Sequence, residues 1–410
     1  MHSQPGPILN SREILEQADT CVKCGLCIPH CPTYRKCANE AESPRGRVAL
    51  IQGLIGGGLA DTDVLRAHLD RCLECRACEN ACPSGVPVTS LVDAAKARRN
   101  AGLPRLQRGL RLLLLRLAAR PRVPMALLRA YRSSGLQLLL RASRVLALSP
   151  RLRRAEGLLP PPPARMPIHV LPSNARAGGR VNLFPGCVSR HLDRAAHDAA
   201  VLVLSRLGFA VRCPSDPCCC GALYRHDGFP AQAERELGRV ARLFAGAPLL
   251  TLASACHGEL LRAPALVGQV EEITRFLADL SWPEDLVLRP LLARVWVHTP
   301  CTQRNTLGDP DAALDLLRRI PGVRLASLPD NDLCCGAAGT YLLRQPSLAD
   351  ALLEDKLVHV RSAPPDFLVT TNTGCALHLA AGIRAAALKV QVCHPVELIA
   401  RQLDAPLESV

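Results

Sequence analysis

Two stretches of this chain repeat one cysteine pattern, and that pattern calls for loops wrapped around a ligand rather than for a regular helix or strand. CVKCGLCIPHCP at 21–32 and CLECRACENACP at 72–83 both read C-x2-C-x2-C-x3-C-P. A lone cysteine such as Cys393 is an ordinary small buried hydrophobe, but runs at fixed spacing are not. The chain holds 20 cysteines in 410 residues, nearly all in short clusters. Its N-terminal stretch, MHSQPGPILNSREILEQADT, has no apolar leader core, so a cytoplasmic chain is expected. Thiols stay reduced in that compartment and disulfides are rare. The clusters therefore read as metal ligands.

The spacing is that of bacterial-type [4Fe–4S] ferredoxins. Each of four irons takes one thiolate. Three close cysteines hold one cluster in a tight loop, the fourth serves the other cluster, and the proline after it turns the chain away. The motif type thus implies one cluster on Cys21, Cys24, Cys27 and Cys82 and another on Cys72, Cys75, Cys78 and Cys31. Zinc is the competing metal. It usually takes four ligands as two pairs, so two identical quartets each closed by Pro favour iron–sulfur. Cys37 fits neither quartet and is expected to be a plain thiol. SPRGRV at 43–48 joins the motifs and reads as a solvated turn, its arginines alternatively facing cluster charge or a partner carboxylate.

Composition narrows the rest. Apolar residues at 48% and charged residues at 21% exclude global disorder, and aromatics at 3% argue against base-stacking nucleic-acid modules. No apolar run reaches the roughly 18 residues of a membrane span. Of the 50 basic residues, 16 lie between Lys96 and Arg154, where there is no Asp or Glu, so the net charge of +14 is concentrated there. Within it, Arg105, Arg108, Arg111, Arg116 and Arg120 alternate with leucines at about helical spacing. Such a segment suits a membrane interface or an acidic partner; no nucleic-acid role is expected. Residues 158–179, LLPPPPARMPIHVLPSNARAGG, read as an extended linker. A cut there is expected to free two folded pieces.

Beyond the linker, short β-rich runs (VNLF at 181–184, FAVRC at 209–213, LLTLA at 249–253, RVWVH at 294–298, VRLASL at 323–328, FLVT at 367–370, KVQVC at 389–393) alternate with helical stretches. That alternation suggests βαβ units. A second repeat runs through them: Cys187, Cys219, Cys220 and Cys256 recur in order as Cys301, Cys334, Cys335 and Cys375. Matched order at near-equal gaps argues for a duplicated unit. Adjacent cysteines point apart in a strand, but in a turn followed by Gly both can reach one metal. Cys213 and Cys218 are further thiols that could alter the first unit's ligand set. The expected organisation is a two-cluster domain at 1–100, a basic helical segment with linker at 101–179, and Cys-Cys-Gly (CCG) units at 180–290 and 291–410. The fold class is mixed: an α-helical di-cluster ferredoxin domain followed by a duplicated α/β cysteine-rich domain.

This arrangement resembles the iron–sulfur subunit of bacterial glycolate oxidase. The resemblance is carried by Pro44-Arg45-Gly46-Arg47, Leu69-Asp70-Arg71-Cys72-Leu73, Cys75-Arg76-Ala77-Cys78-Glu79, Cys82-Pro83-Ser84-Gly85, the stretch from Leu333 to Tyr341, and Thr371-Asn372-Thr373-Gly374-Cys375 with His378. The same parts recur in the iron–sulfur subunit of anaerobic glycerol-3-phosphate dehydrogenase and in heterodisulfide reductase. The resemblance implies an electron-transfer subunit of an oxidoreductase complex, with two [4Fe–4S] clusters and a further Fe–S cluster or metal in the CCG units. It implies flavoprotein partners, electron flow toward quinone, and a cytoplasmic chain that meets the inner face of the cell membrane peripherally. Hydride abstraction from a hydroxy acid needs flavin or nicotinamide, and no G-x-G-x-x-G follows a strand here. Flavin is therefore expected on a partner, and no substrate-binding catalytic site on this chain. Two alternatives stand beside this: a glycerol-3-phosphate or lactate dehydrogenase subunit, and a non-catalytic redox sensor or cluster carrier. One departure bears on the CCG units. The wider family ends each with C-x2-C, whereas here Glu259 and His378 stand at the second position. His378, one helical turn beyond Cys375, is expected to reach whatever Cys375 binds.

Overall fold

Asn10 starts the first helix with a reciprocal cap. Its side chain accepts from the Glu13 N–H at 3.0 Å, and Glu13 accepts from the Asn10 N–H at 2.7 Å. In this computed structural model, which describes residues 10–120, 122–143, 149–160, 179–214 and 218–403, that helix (Ser11–Asp19) packs with Pro44–Ile55 and Val88–Ala101, and Asp63–Asp70 packs on those two. Ile14, Ala18, Val48, Ile51, Leu91 and Val92 form their shared core, and Cys21, Cys72, Cys78 and Cys82 pack against it.

The basic segment is helical, as its spacing predicts: Arg105–Ala119, Arg122–Ser133, Leu136–Ala142 and Pro150–Leu158. The first of these lays Leu115 and Ala119 on the first CCG unit beside Tyr224 and Phe229. Its other face leaves Leu106, Leu110, Leu113, Leu114 and Leu117 exposed. No described helix is long and apolar enough to cross a membrane. From 161 to 178 the proline-rich stretch lies outside the described residues.

The two CCG units are parallel α/β sheets of four strands each. The first comprises β1 (Arg180–Phe184), β2 (Ala210–Arg212), β3 (Leu249–Thr251) and β4 (Val270–Glu272). The second comprises β5 (Arg294–His298), β6 (Arg324–Ser327), β7 (Phe367–Thr370) and β8 (Gln391–Cys393). The sheet orders, β2-β1-β3-β4 and β6-β5-β7-β8, are the same, which is what the repeated cysteines imply. Seven of the strands fall where the sequence predicts them; β4 does not. Its residues, Val270, Glu271 and Glu272, carry two acids, and Glu272 also caps the next helix, accepting from the Thr274 N–H at 3.0 Å. The units pack through equivalent helices: Arg194–Arg206 meets Pro395–Gln402, and Ile273–Asp279 meets Ala312–Leu317. The contact is thus pseudo-twofold, over one core that includes Leu183, Val203, Val297 and Leu316.

The cluster domain is seated on both units. Leu73 and Cys75 join the core of the second. Against the first, Lys96 donates to the His226 carbonyl at 3.1 Å and Asn100 to the Asp227 carbonyl at 2.6 Å.

Candidate metal centres

Both cysteine loops adopt the same rare backbone turn. The residues on either side of the middle cysteine have positive φ: Lys23 at 56° and Gly25 at 89° around Cys24, Glu74 at 52° and Arg76 at 59° around Cys75. For the non-glycine residues this is strained, and such strain collects at ligand loops. Successive N–H groups in such a turn face inward, toward an anion.

The fold brings thiols of the two loops near one another. The half-buried Cys27 thiol has those of Cys21 and Cys82 as neighbours, and burial raises its pKa. The Cys78 thiol, pushed well up by burial, has Cys75, Cys72 and Cys31 around it. Burial lifts Cys72 to about 11, against the pull of Arg47. Buried thiols that must lose protons to become ligands suit a metal that displaces those protons, so the donor chemistry fits an iron–sulfur cluster. The two quartets differ in access. Cys24 is exposed, with Val22 and Leu26 beside it 71% and 57% exposed, whereas the quartet of Cys31, Cys72, Cys75 and Cys78 closes around a small cavity.

SPRGRV is not a solvated turn. Ser43 caps the helix that begins at Pro44, accepting from the Gly46 N–H at 2.9 Å. Arg47 is 1% exposed, ion-paired to Glu42 at 2.6 Å, with Nη1 3.9 Å from the Cys31 Sγ. Glu42 also binds His68 and Arg71, each at 2.7 Å. Burial disfavours the guanidinium, but Cys72, Cys31 and Glu42 offset this and raise its pKa. The sequence showed the arginine but not its depth. Lys36, one residue before the unassigned Cys37, pairs with Asp355; Cys37 lies near Glu42, Arg71, Arg47 and Cys31, and burial raises its pKa.

In each CCG unit the four predicted cysteines come together at the C-terminal end of the parallel sheet, where α/β folds place their sites. In the first, Cys187, Cys219, Cys220 and Cys256 form a chain of sulfur contacts. In the second, Cys301 lies 3.8 Å from Cys334, and Cys335 touches both Cys334 and Cys375. The Cys301 thiol, hydrogen-bonded to Cys334 and buried, is pushed well up. Glycine is required after each pair. Gly221 and Gly336 have φ of 101° and 87°, and a Cβ would lie 2.9 Å from the Ala233 carbonyl oxygen and 2.7 Å from that of Ala349. Cys218 is buried beside Cys213 and Cys187, and Cys213 is exposed.

The two residues at the missing fifth cysteine turn elsewhere. Glu259 pairs with Arg225 at 2.6 Å. His378 is corrected from its expected place: its Nε2 lies 3.1 Å from the Ala349 carbonyl oxygen, and burial lowers its pKa to about 4. A different imidazole lies near the sulfurs. His298, the last residue of β5, has a ring nitrogen within 4.8 Å of the sulfurs of Cys335 and Cys375. Burial, with Lys356 and Arg304 nearby, holds it neutral, at about 3. In the sequence its only signal is its place three residues before Cys301 at a strand end.

Known proteins carry the same parts. Residues 17–86 match the 4Fe-4S dicluster domain, and residues 181–260 and 295–380 each match the cysteine-rich domain. The glycolate oxidase iron-sulfur subunit of Escherichia coli (strain K12) is 32% identical over 411 residues, covering 94% of this chain and 94% of that protein. This chain belongs to the glycolate oxidase iron–sulfur subunit family. The probable glycolate oxidase iron-sulfur subunit of Bacillus subtilis (strain 168) is 29% identical, covering 92% of each chain. Lactate utilization protein A of Geobacillus kaustophilus (strain HTA426) is 28% identical over 54% of this chain and 98% of its own. Within the family, the fold expected from sequence holds: a di-cluster domain followed by a duplicated α/β cysteine-rich domain, with iron–sulfur cofactors.

Proposed function

We propose that this chain is the electron-transfer subunit of a flavin-dependent glycolate (2-hydroxy acid) oxidase complex, taking electrons from a flavoprotein partner and passing them toward quinone or another acceptor. The proposed ligands of its two [4Fe–4S] clusters are the eight cysteines of the crossed quartets, and the CCG cysteines are the candidates for further metal. Iron–sulfur clusters supply one-electron chemistry, and the hydride chemistry falls to the partner's flavin.

The observation that carries this reading is the continuity of thiols across the domain boundary. Cys75 packs in the same apolar cluster as Cys301, Cys334 and Cys335. Asn305, on the helix that Cys301 starts, donates to the Cys75 carbonyl at 2.8 Å and so fixes that loop against the second unit. At the other end, the open loop of Cys24 with Val22 and Leu26 offers a face on which a redox partner can dock. The exposed leucines of Arg105–Ala119, flanked by arginines, fit peripheral contact with an anionic membrane surface.

The test is anaerobic purification with bound partners. At least eight iron and eight sulfide per chain are expected, with a co-purifying flavoprotein and reduction of the clusters by glycolate. Stoichiometric zinc without sulfide overturns the cluster assignment. Clusters that no hydroxy acid reduces in the intact complex overturn the function. Relatives named lactate utilization protein A favour lactate as a second reading, so lactate is run beside glycolate, with glycerol-3-phosphate as a third substrate.

A further inference from the structure

The two CCG units share four cysteines each, yet their surroundings differ in kind. Equivalent positions can be matched through the fold. His298 pairs with Thr370 across β5 and β7, as Phe184 pairs with Thr251 across β1 and β3. Ala349 and Ala233 crowd the two critical glycines, and seven residues further along the same helices stand Lys356 and Val240. Asn372 and Ala253 are the N-cap residues of the helices that carry Cys375 and Cys256. A histidine, a lysine and an asparagine in the second unit thus face a phenylalanine, a valine and an alanine in the first.

Each of the three polar groups addresses the second tetrad. His298 is 1% exposed, and its Nδ1 lies 2.9 Å from the Thr370 hydroxyl. With Nδ1–H donated to Thr370, Nε2 is the ring atom left for a metal, the usual way a second partner fixes a ligating imidazole. Its ring lies within 4.8 Å of Cys335 and Cys375. Asn372 donates to the Cys375 sulfur at 3.3 Å, and the Gly336 N–H donates to that of Cys334 at 3.4 Å. Lys356 is fully buried, donates to the Asp330 carbonyl, and has Cys335, Cys334, Asp330 and Asp332 as its neighbours. A buried cation is costly unless it faces negative charge, and thiolates gathered on a metal would add to what the two aspartates supply. In the first unit Phe184 packs edge-on to Phe244, with ring centroids 6.2 Å apart, and offers no donor.

We propose that His298 is the fifth ligand of a metal centre held by Cys301, Cys334, Cys335 and Cys375. It stands in space for the cysteine missing at position 378, a histidine where the first unit has Phe184. The inference rests on the reading of the second unit as a metal site.

The test compares the full chain, purified anaerobically, with His298→Gln and His298→Cys. Metal is expected in excess of the eight irons that two cubanes hold. Pulsed EPR of the reduced protein is expected to show coupling to a nitrogen that histidine labelling with nitrogen-15 identifies. That coupling vanishes in both variants, while His298→Cys, which restores a thiolate donor, keeps the wild-type metal count. If the additional metal is zinc, imidazole scattering at the zinc absorption edge replaces the EPR readout. Additional metal with no histidine coupling, or coupling that survives His298→Cys, overturns the His298 assignment alone. No metal beyond eight irons overturns the reading of the unit as a metal site together with it.

Discussion

Arg47→Met removes a buried cation that touches the inner cysteine quartet and keeps an apolar side chain of similar length. Two effects follow, and both can be sized. Arg47 and Glu42 are 2% and 1% exposed at 2.6 Å, and removing one partner of such a buried pair costs about 3–5 kcal/mol. Glu42 keeps His68 and Arg71, so a loss near ~3 kcal/mol is expected. The electrical effect is more specific. Nη1 lies 3.9 Å from the Cys31 sulfur. With the added electron spread over a cluster beyond that sulfur, at about 7 Å and an effective dielectric of about 20, the lost attraction is about 2.4 kcal/mol. For one electron that is roughly 100 mV. Reduction adds negative charge, so removal of the guanidinium moves the midpoint down. The assay is an EPR-monitored redox titration of the anaerobically purified chain, with Arg47→Lys as the charge-preserving control. One centre falls by on the order of 100 mV and the other stays put, while Arg47→Lys shifts little. Equal shifts in both centres, or none in either, would show that Arg47 does not act on this quartet.

Three further expectations concern stability and assembly. Burial raises Glu272 from 4.5 to about 7; the native state holds this proton more tightly than the unfolded chain, so its share of stability, ~3 kcal/mol at most, is present below pH 4.5 and lost as pH rises through about 7. Denaturant titrations at pH 5 and pH 8 check this: Glu272→Gln loses less stability over that interval than wild type, and parallel losses contradict the assignment. Gly336→Ala forces a Cβ to 2.7 Å from the Ala349 carbonyl oxygen at a φ of 87° and is expected to cost about 2–4 kcal/mol in urea unfolding. Gly57→Ala, where φ is 79° with open space around it, should cost only about 1 kcal/mol, and equal costs would refute the close-approach argument. A protease site placed between 161 and 178 should give two pieces that still elute as one species, because Lys96 and Asn100 donate to the His226 and Asp227 carbonyls and Leu73 is buried in the second unit. Intact pieces that elute separately in 0.15 M salt would restore the expectation of independent halves.

The expectations that failed are those in which a residue's surroundings come from elsewhere in the chain. Arg47 sits in a short polar run that reads as a turn, but Ser43 and Pro44 begin a helix there, and the helix aims the guanidinium at Cys31 rather than at water. His378 is three residues past Cys375 on Thr373–Ala385, close enough on the helix surface to share a ligand. The helix is instead rotated so that His378 packs on Pro346–Ser362 and meets the Ala349 carbonyl.

The sequence by itself determined what depends on neighbours in the chain. That includes the spacing of thiols within one loop, the glycines after the paired cysteines, the alternation of strands and helices, and the repetition of a whole unit. Loop geometry over a dozen residues is local, so cysteine spacing alone limits what such a loop can hold. The tertiary structure decided which donors meet. The parallel pairing of β5 with β7 sets His298 beside Thr370, and the Cys-Cys-Gly turn and the helix after β7 bring Cys335 and Cys375 to that imidazole. The docking of the cluster domain places Cys75 in the second unit's core rather than the first's. A ligand set is a set of distances between distant parts of the chain, and those distances exist only once the sheets and helices have packed.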